Sequence, residues 1–138
     1  MESITVIKNF MAENNLEYLL VNSTNEFLVE YNTLEENSRY KLTNFSGSTG
    51  EALVTPKTIY LFVDGRYHIQ ADNEVCHEKI TVVKLQAGEK YLDELLKRIP
   101  EDCTLGLFAK KNSQSKIDFL KKYRKIRIEM LANVILNP

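Results

Sequence analysis

The sequence predicts an α/β fold: a mixed sheet with helices on both faces, three layers deep. Three observations carry this. Short apolar runs alternate along the chain with segments whose apolar residues recur every three or four positions. Two of the apolar runs, 52–55 and 58–63, are separated only by Pro56-Lys57, so one antiparallel hairpin sits inside an otherwise strand-and-helix order. At 138 residues, with 43% hydrophobic and 27% charged, residues 1–138 form one domain by size, able to bury a core.

Ser3 is placed to cap a first helix that runs to residue 14 or 15, with Ile4, Ile7, Phe10 and Met11 on one face. Asn14-Asn15 breaks it. Residues 18–21 are a continuous apolar run, which suits a buried strand. Residues 22–38 read as a long surface loop; they hold Glu26, Glu30, Glu35 and Glu36 and no basic residue, and within them Phe27, Leu28 and Tyr31 can anchor one helical turn. After the hairpin a helix is expected over 66–74. The β-branched residues of 79–85 predict a strand. Tyr91, Leu92, Leu95, Leu96 and Ile99 keep helical spacing until Pro100 stops them. Residues 104–108 read as a short strand. Ser113 or Ser115 can cap a helix carrying Ile117, Phe119, Leu120 and Tyr123. A strand-like run from Ile126 and an apolar tail over 130–136 close the chain. No internal repeat, low-complexity segment or Pro/Gly-rich linker divides it.

Composition excludes several function classes. A net charge of −1 gives no global pull toward nucleic acid or an anionic membrane. The longest apolar runs are five or six residues, far short of a membrane span. Met1-Glu2-Ser3-Ile4 lacks the basic and apolar regions of a secretory signal, so a cytoplasmic location is expected. Cys76 and Cys103 are too few for a disulfide framework. His68 and His77 are the only histidines, and Cys76-His77-Glu78 are consecutive, which is poor geometry for one metal. No bound metal is expected. Residues 110–127 carry eight basic residues and one acidic one, Asp118. That run fits the solvated face of an amphipathic helix, or a partner for the acidic loop, better than a nucleic-acid face.

Two stretches flank the hairpin. Thr43-Asn44-Phe45-Ser46-Gly47-Ser48-Thr49-Gly50 leads into it, and Asp64-Gly65-Arg66-Tyr67 closes it. The first lacks the Lys-Ser/Thr ending of a phosphate-binding loop and the GxGxxG spacing, and a strand follows it rather than a helix. It reads as a shaped loop, with Phe45 either buried or offered to a neighbour. Gly47 and Gly50 are expected at positive φ, and Ser46 and Ser48 to tolerate alanine. Asp64 is placed to cap the helix that follows. Arg66 either presents its fork of donors to an anionic or carbonyl group or pairs with a nearby carboxylate.

These residues resemble the N-terminal domain of the creatinase, prolidase and Xaa-Pro aminopeptidase family. That family runs Arg-x-x-x-x-Gly-Phe-x-Gly-Ser-Ala-Gly into a strand ending Val-Thr. A second strand follows, ending Asp-Gly-Arg-Tyr and continuing Phe-Leu-Gln-Ala. The matching positions are Arg39, Phe45, Gly47, Ser48, Gly50, Val54, Thr55, Asp64, Gly65, Arg66, Tyr67, Gln70 and Ala71. Two positions depart: Asn44 stands for a glycine, and Thr49 for an alanine. Asn is the non-glycine residue that best tolerates positive φ, so the loop shape can survive the first change.

The resemblance implies a ribonuclease H-like mixed sheet sandwiched by helices. It implies a non-catalytic domain that makes oligomer contacts and restricts substrate access to a metal-dependent Xaa-Pro aminopeptidase or prolidase. The peptidase chemistry would reside in a C-terminal pita-bread domain absent from this chain, where two Asp, a His and two Glu hold a divalent metal pair, expected to be manganese. On this reading the chain itself is inactive and holds no cofactor or catalytic residue. Its partners are the catalytic domain and other subunits, and it meets peptide only through them. Arg39, Phe45 and Arg66 are the candidates for inter-domain contact; Gly47, Ser48, Gly50, Asp64, Gly65 and Tyr67 shape the motif. Alternatively, the fold serves as a free-standing adaptor or ligand-binding domain without a peptidase.

Overall fold

The computed structural model describes residues 2–22, 38–47, 50–100, 102–108, 114–123 and 127–131. The elements run α1 (Glu2–Glu13), β1 (Tyr18–Val21), α2 (Ser38–Thr43), β2 (Glu51–Val54), β3 (Ile59–Val63), a 3-10 turn (Gly65–Tyr67), α3 (His68–Glu74), β4 (Ile80–Lys84), α4 (Tyr91–Leu96), β5 (Thr104–Phe108), α5 (Gln114–Tyr123) and β6 (Arg127–Leu131). The expected alternation is present.

The six strands lie in the order β4-β3-β2-β1-β5-β6. β1 pairs with β2, and β2 with β3, antiparallel; the β1–β5, β3–β4 and β5–β6 pairs are parallel. Only β2 therefore runs against the rest, and the carboxyl ends of the other five strands share one edge. Crevices outside such an edge are where open α/β sheets bind ligands. The hairpin is held by register Val54↔Ile59 and by Thr55, whose N–H donates to the Thr58 carbonyl at 3.0 Å. Pro56-Lys57 is the turn, as its residue types require.

Side-chain alternation sends the strands into two cores. Leu19, Val21, Ala52, Val54, Leu61 and Val63 pack with Ile4, Ile7 and Met11 of α1, Leu42 of α2 and Ala71 of α3. Leu20, Leu53, Phe62, Leu105 and Leu107 pack with Leu95 and Leu96 of α4 and Ile117 and Leu120 of α5. The sheet thus has helices on both faces, in three layers.

Several boundaries differ from expectation. Ser3 lies within α1 rather than before it, and Ser115 within α5, so neither caps; Ser113 lies outside the described residues. α4 ends at Leu96, short of Ile99 and Pro100. The loop expected over 22–38 loses both ends: Asn22 is fully buried and Ser38 opens α2. Its anchors Phe27, Leu28 and Tyr31 lie outside the described residues, as do 132–136 of the apolar tail. Asn15 does end α1 in the left-handed region, φ 56, and Leu16 N–H reaches back to the Met11 carbonyl at 2.9 Å.

Candidate functional site

The two halves of the motif meet at the carboxyl edge of β3. α2 ends because Thr43 turns its hydroxyl onto the Arg39 carbonyl at 2.8 Å and accepts from Phe45 N–H at 3.2 Å. Asn44 then adopts φ 65, the conformation its residue type permits where the family has glycine. Its side-chain amide donates to the Glu74 carbonyl at 3.1 Å.

Phe45 is fully buried. Its ring meets Tyr67 edge-on, with centroids 5.6 Å apart and planes at 79°. The Arg39 guanidinium lies over the same ring, 4.7 Å from its centroid. Arg39 is itself fully buried, and its Nη2 donates to the Gly47 carbonyl. Burial pushes this guanidinium down to about 10, against the opposing pull of Glu51 and Glu74, so it keeps its charge at neutral pH. Arg39 and Phe45 were expected to face a neighbour. Both side chains are instead enclosed by their own domain, because ring and guanidinium stack on each other inside the loop they shape.

Gly47 and Gly50 are required, for different reasons. A Cβ on Gly47 would come within 2.3 Å of Phe45 Cζ and 3.0 Å of Tyr67 Cδ1. Gly47 is not at positive φ, contrary to expectation; it is small because the aromatic pair fills the space. Gly50 has φ +130, and a Cβ there would sit 3.2 Å from the Phe62 carbonyl. Ser48 lies outside the described residues.

Sequence reasoning missed the residue that ties the loop down. The Glu74 carboxylate accepts from Ser46 N–H at 2.8 Å and from Ser46 Oγ at 2.9 Å. Gln70 Nε2 donates to Ser46 Oγ at 3.1 Å. Ser46 is therefore engaged rather than dispensable. The available signal was the i,i+4 pair Gln70 and Glu74 on the helix that the motif opens. Asn22 and Glu51 were missed as well: Asn22 Nδ2 donates to Glu51 Oε2 at 2.8 Å within the buried edge.

The second half is open. Asp64 caps the 3-10 turn, accepting from Arg66 N–H at 3.0 Å. The same carboxylate pairs with Arg66 Nη2 at 3.0 Å, and these two side chains are 43% and 60% exposed. The Arg66 guanidinium lies 5.1 Å from the Tyr67 ring centroid. Tyr67, half-buried, thus joins the open turn to buried Phe45. Gly65 has nothing within 4 Å of where a Cβ would stand.

The described residues do not fit a metal pair: among them no group of three or more His, Cys, Asp or Glu side chains converges. The histidines stand apart, His68 Nε2 3.1 Å from the Leu85 carbonyl and His77 Nε2 2.8 Å from the Asp72 carbonyl. Among the described residues no helix is long and apolar enough to cross a membrane.

The family model for the creatinase/prolidase N-terminal domain matches residues 4–127. Aminopeptidase P1 of Arabidopsis thaliana is 32% identical over 110 residues, which cover 77% of this chain and 17% of that protein. The X-prolyl aminopeptidase of Caenorhabditis elegans, described as a cytosolic enzyme with a di-nuclear active site, superposes with a TM-score of 0.77 at 21% identity. That match covers 88% of this chain and 20% of the worm enzyme. The N-terminal domain of the cytoplasmic peptidase PepQ from Mycobacterium tuberculosis gives a TM-score of 0.66 at 19% identity, covering 94% of this chain and 92% of that one. The chain spans about a fifth of the length of the curated relatives it matches.

Proposed function

Because the chain belongs to the creatinase/prolidase N-terminal domain family, we propose that it is the non-catalytic domain of a cytoplasmic, metal-dependent Xaa-Pro aminopeptidase or prolidase. In this reading it makes oligomer contacts and limits which peptides reach the catalytic centre. The chemistry belongs to a C-terminal domain holding a divalent metal pair, manganese in the reading adopted here. The single observation that carries the role is the division of the motif. Its first half is internal scaffolding, and that scaffolding holds the Asp64-Gly65-Arg66 turn outward at the sheet edge where α/β folds meet their ligands. Arg66 is the contact residue: its fork suits a carboxylate or a peptide carbonyl.

The test compares the 138-residue chain with the complete gene product on Xaa-Pro peptides of increasing length, with manganese added. The chain should turn over none of them. The gene product should cleave short peptides and discriminate against long ones, and Arg66→Ala should relax that discrimination. A gene product without turnover, or discrimination unchanged by Arg66→Ala, contradicts the role.

A further inference from the structure

A hollow of about 650 Å³ opens at the carboxyl edge of the sheet, beside the core that α4 and α5 cover and away from buried Phe45. Its volume is that of a small-molecule site. Leu85, just after β4, gives it one apolar wall; Tyr91 and Leu92 of α4 and Phe119 of α5 give the others. All four are partly buried. Lys116 holds its ammonium 5.4 Å from the Tyr91 ring centroid, which sets a cation on that wall. The Tyr91 hydroxyl is buried with no hydrogen-bond partner among the described residues, so the ring can tilt without breaking a bond. Lys90 and Asp93 reach the same hollow. Both are exposed, and among the described residues neither side chain makes a hydrogen bond or ion pair. Ser115 and two further acids complete the rim. Those acids are engaged: Asp64 pairs with Arg66, and Glu89 accepts from Gln86 N–H at 2.6 Å.

We infer that this hollow binds a free amino acid whose side chain is apolar and of leucine or phenylalanine size. It offers a complement to each charge of a zwitterion. The ammonium groups of Lys90 and Lys116 suit an α-carboxylate, and the Asp93 carboxylate suits an α-ammonium. The apolar walls take the side chain, and burial there supplies most of the affinity. A polyanion such as a nucleotide is disfavoured, because three carboxylates share the rim with the two lysines. A wholly apolar ligand is disfavoured too, because it would strip water from Lys116 and Asp93 without replacing it. The place is the one where open α/β sheets bind ligands, outside the carboxyl ends of their strands. A ligand of about a dozen non-hydrogen atoms reaches millimolar affinity or better. Every residue invoked belongs to this chain, so the site does not depend on the proposed function.

Titration of the 138-residue chain with L-phenylalanine, followed by backbone amide NMR shifts, tests it. Saturable shifts should centre on residues 89–93 and 115–119. 3-Phenylpropionate, which lacks the ammonium, should bind several-fold more weakly than L-phenylalanine. 2-Phenylethylamine, which lacks the carboxylate, should bind more weakly still, and glycine should not bind. Lys116→Gln should weaken L-phenylalanine about tenfold or more. Asp93→Asn changes an exposed residue and should melt like the wild type. It should erase the preference for L-phenylalanine over 3-phenylpropionate. Three results overturn the inference: no saturable shift at the solubility limit of L-phenylalanine, shifts centred away from the hollow, or a preference that Asp93→Asn leaves unchanged. Each of them leaves the peptide-length assay standing, and failure of that assay leaves the amino-acid site standing.

Discussion

The loop at 43–47 and the turn at 64–67 lie side by side, yet they are held by opposite means. In the loop, Arg39 and Phe45 are fully buried, Gly47 is pressed against two rings, and Ser46 is fastened to Glu74. In the turn, Arg66 and Asp64 answer each other at the surface, and a Cβ on Gly65 would meet nothing within 4 Å. Tyr67 links them through its edge-on contact with Phe45. The difference teaches that one contiguous sequence motif holds two kinds of residue, those that make a shape and those that present it. Substitutions should separate the two by their effect on stability.

The largest effect is expected at Gly47. Gly47→Val forces side-chain atoms into the space of Phe45 and Tyr67, and overpacking of this kind costs about 3 kcal/mol. For a domain of this size that lowers the melting temperature by roughly 12 °C. A melting curve within a few degrees of wild type would mean the rings have room to move and the loop is not tightly packed. Arg39→Met comes next. It keeps much of the volume but leaves the Gly47 carbonyl without its charged donor, and Glu51 and Glu74 without the opposing charge. A loss of about 2–3 kcal/mol in urea unfolding is expected. A stabilised Arg39→Met would show that the burial cost of the guanidinium exceeds its bonds.

Glu74→Gln should cost about 1–2 kcal/mol, since charge-assisted bonds from Ser46 become neutral ones. Amide exchange at Ser46 gives a local readout: it should speed up well before exchange in β2 and β3. Uniform acceleration across the sheet would place Glu74 in the global core rather than at the loop. Arg66→Ala is expected to be the smallest change, about 0–1 kcal/mol, as for other exposed pairs. A collapse of thermal stability in this variant would make Arg66 structural and remove it as the contact residue.

Much of the fold was legible because strand and helix periodicities survive in the apolar residues. The hairpin, the strand at 104–108 and the apolar face of α1 stand where the pattern puts them. Short α2 was not legible: its six residues, SRYKLT, are too few to show a period, and tertiary contacts rather than propensity hold it. At the candidate site, residue type gave Asp64 its cap and Asn44 its left-handed conformation. It misjudged Arg39, because an arginine reads as a surface residue unless its partners are known. Those partners, the Gly47 carbonyl and the fields of Glu51 and Glu74, come from positions 8, 12 and 35 residues away, on other elements. Glu74 was missed for the same reason: its bonds to Ser46 span 28 residues.

The division between shape-making and shape-presenting residues is tested most directly by melting two conservative variants side by side. Gly47→Ala and Gly65→Ala add the same single methyl group to glycines of the same motif. In Gly47→Ala the new carbon meets Phe45 Cζ within 2.3 Å; in Gly65→Ala it meets nothing within 4 Å. The melting temperature should fall by several degrees for Gly47→Ala and stay at or slightly above wild type for Gly65→Ala. Equal losses in both, or a larger loss for Gly65→Ala, would contradict the account.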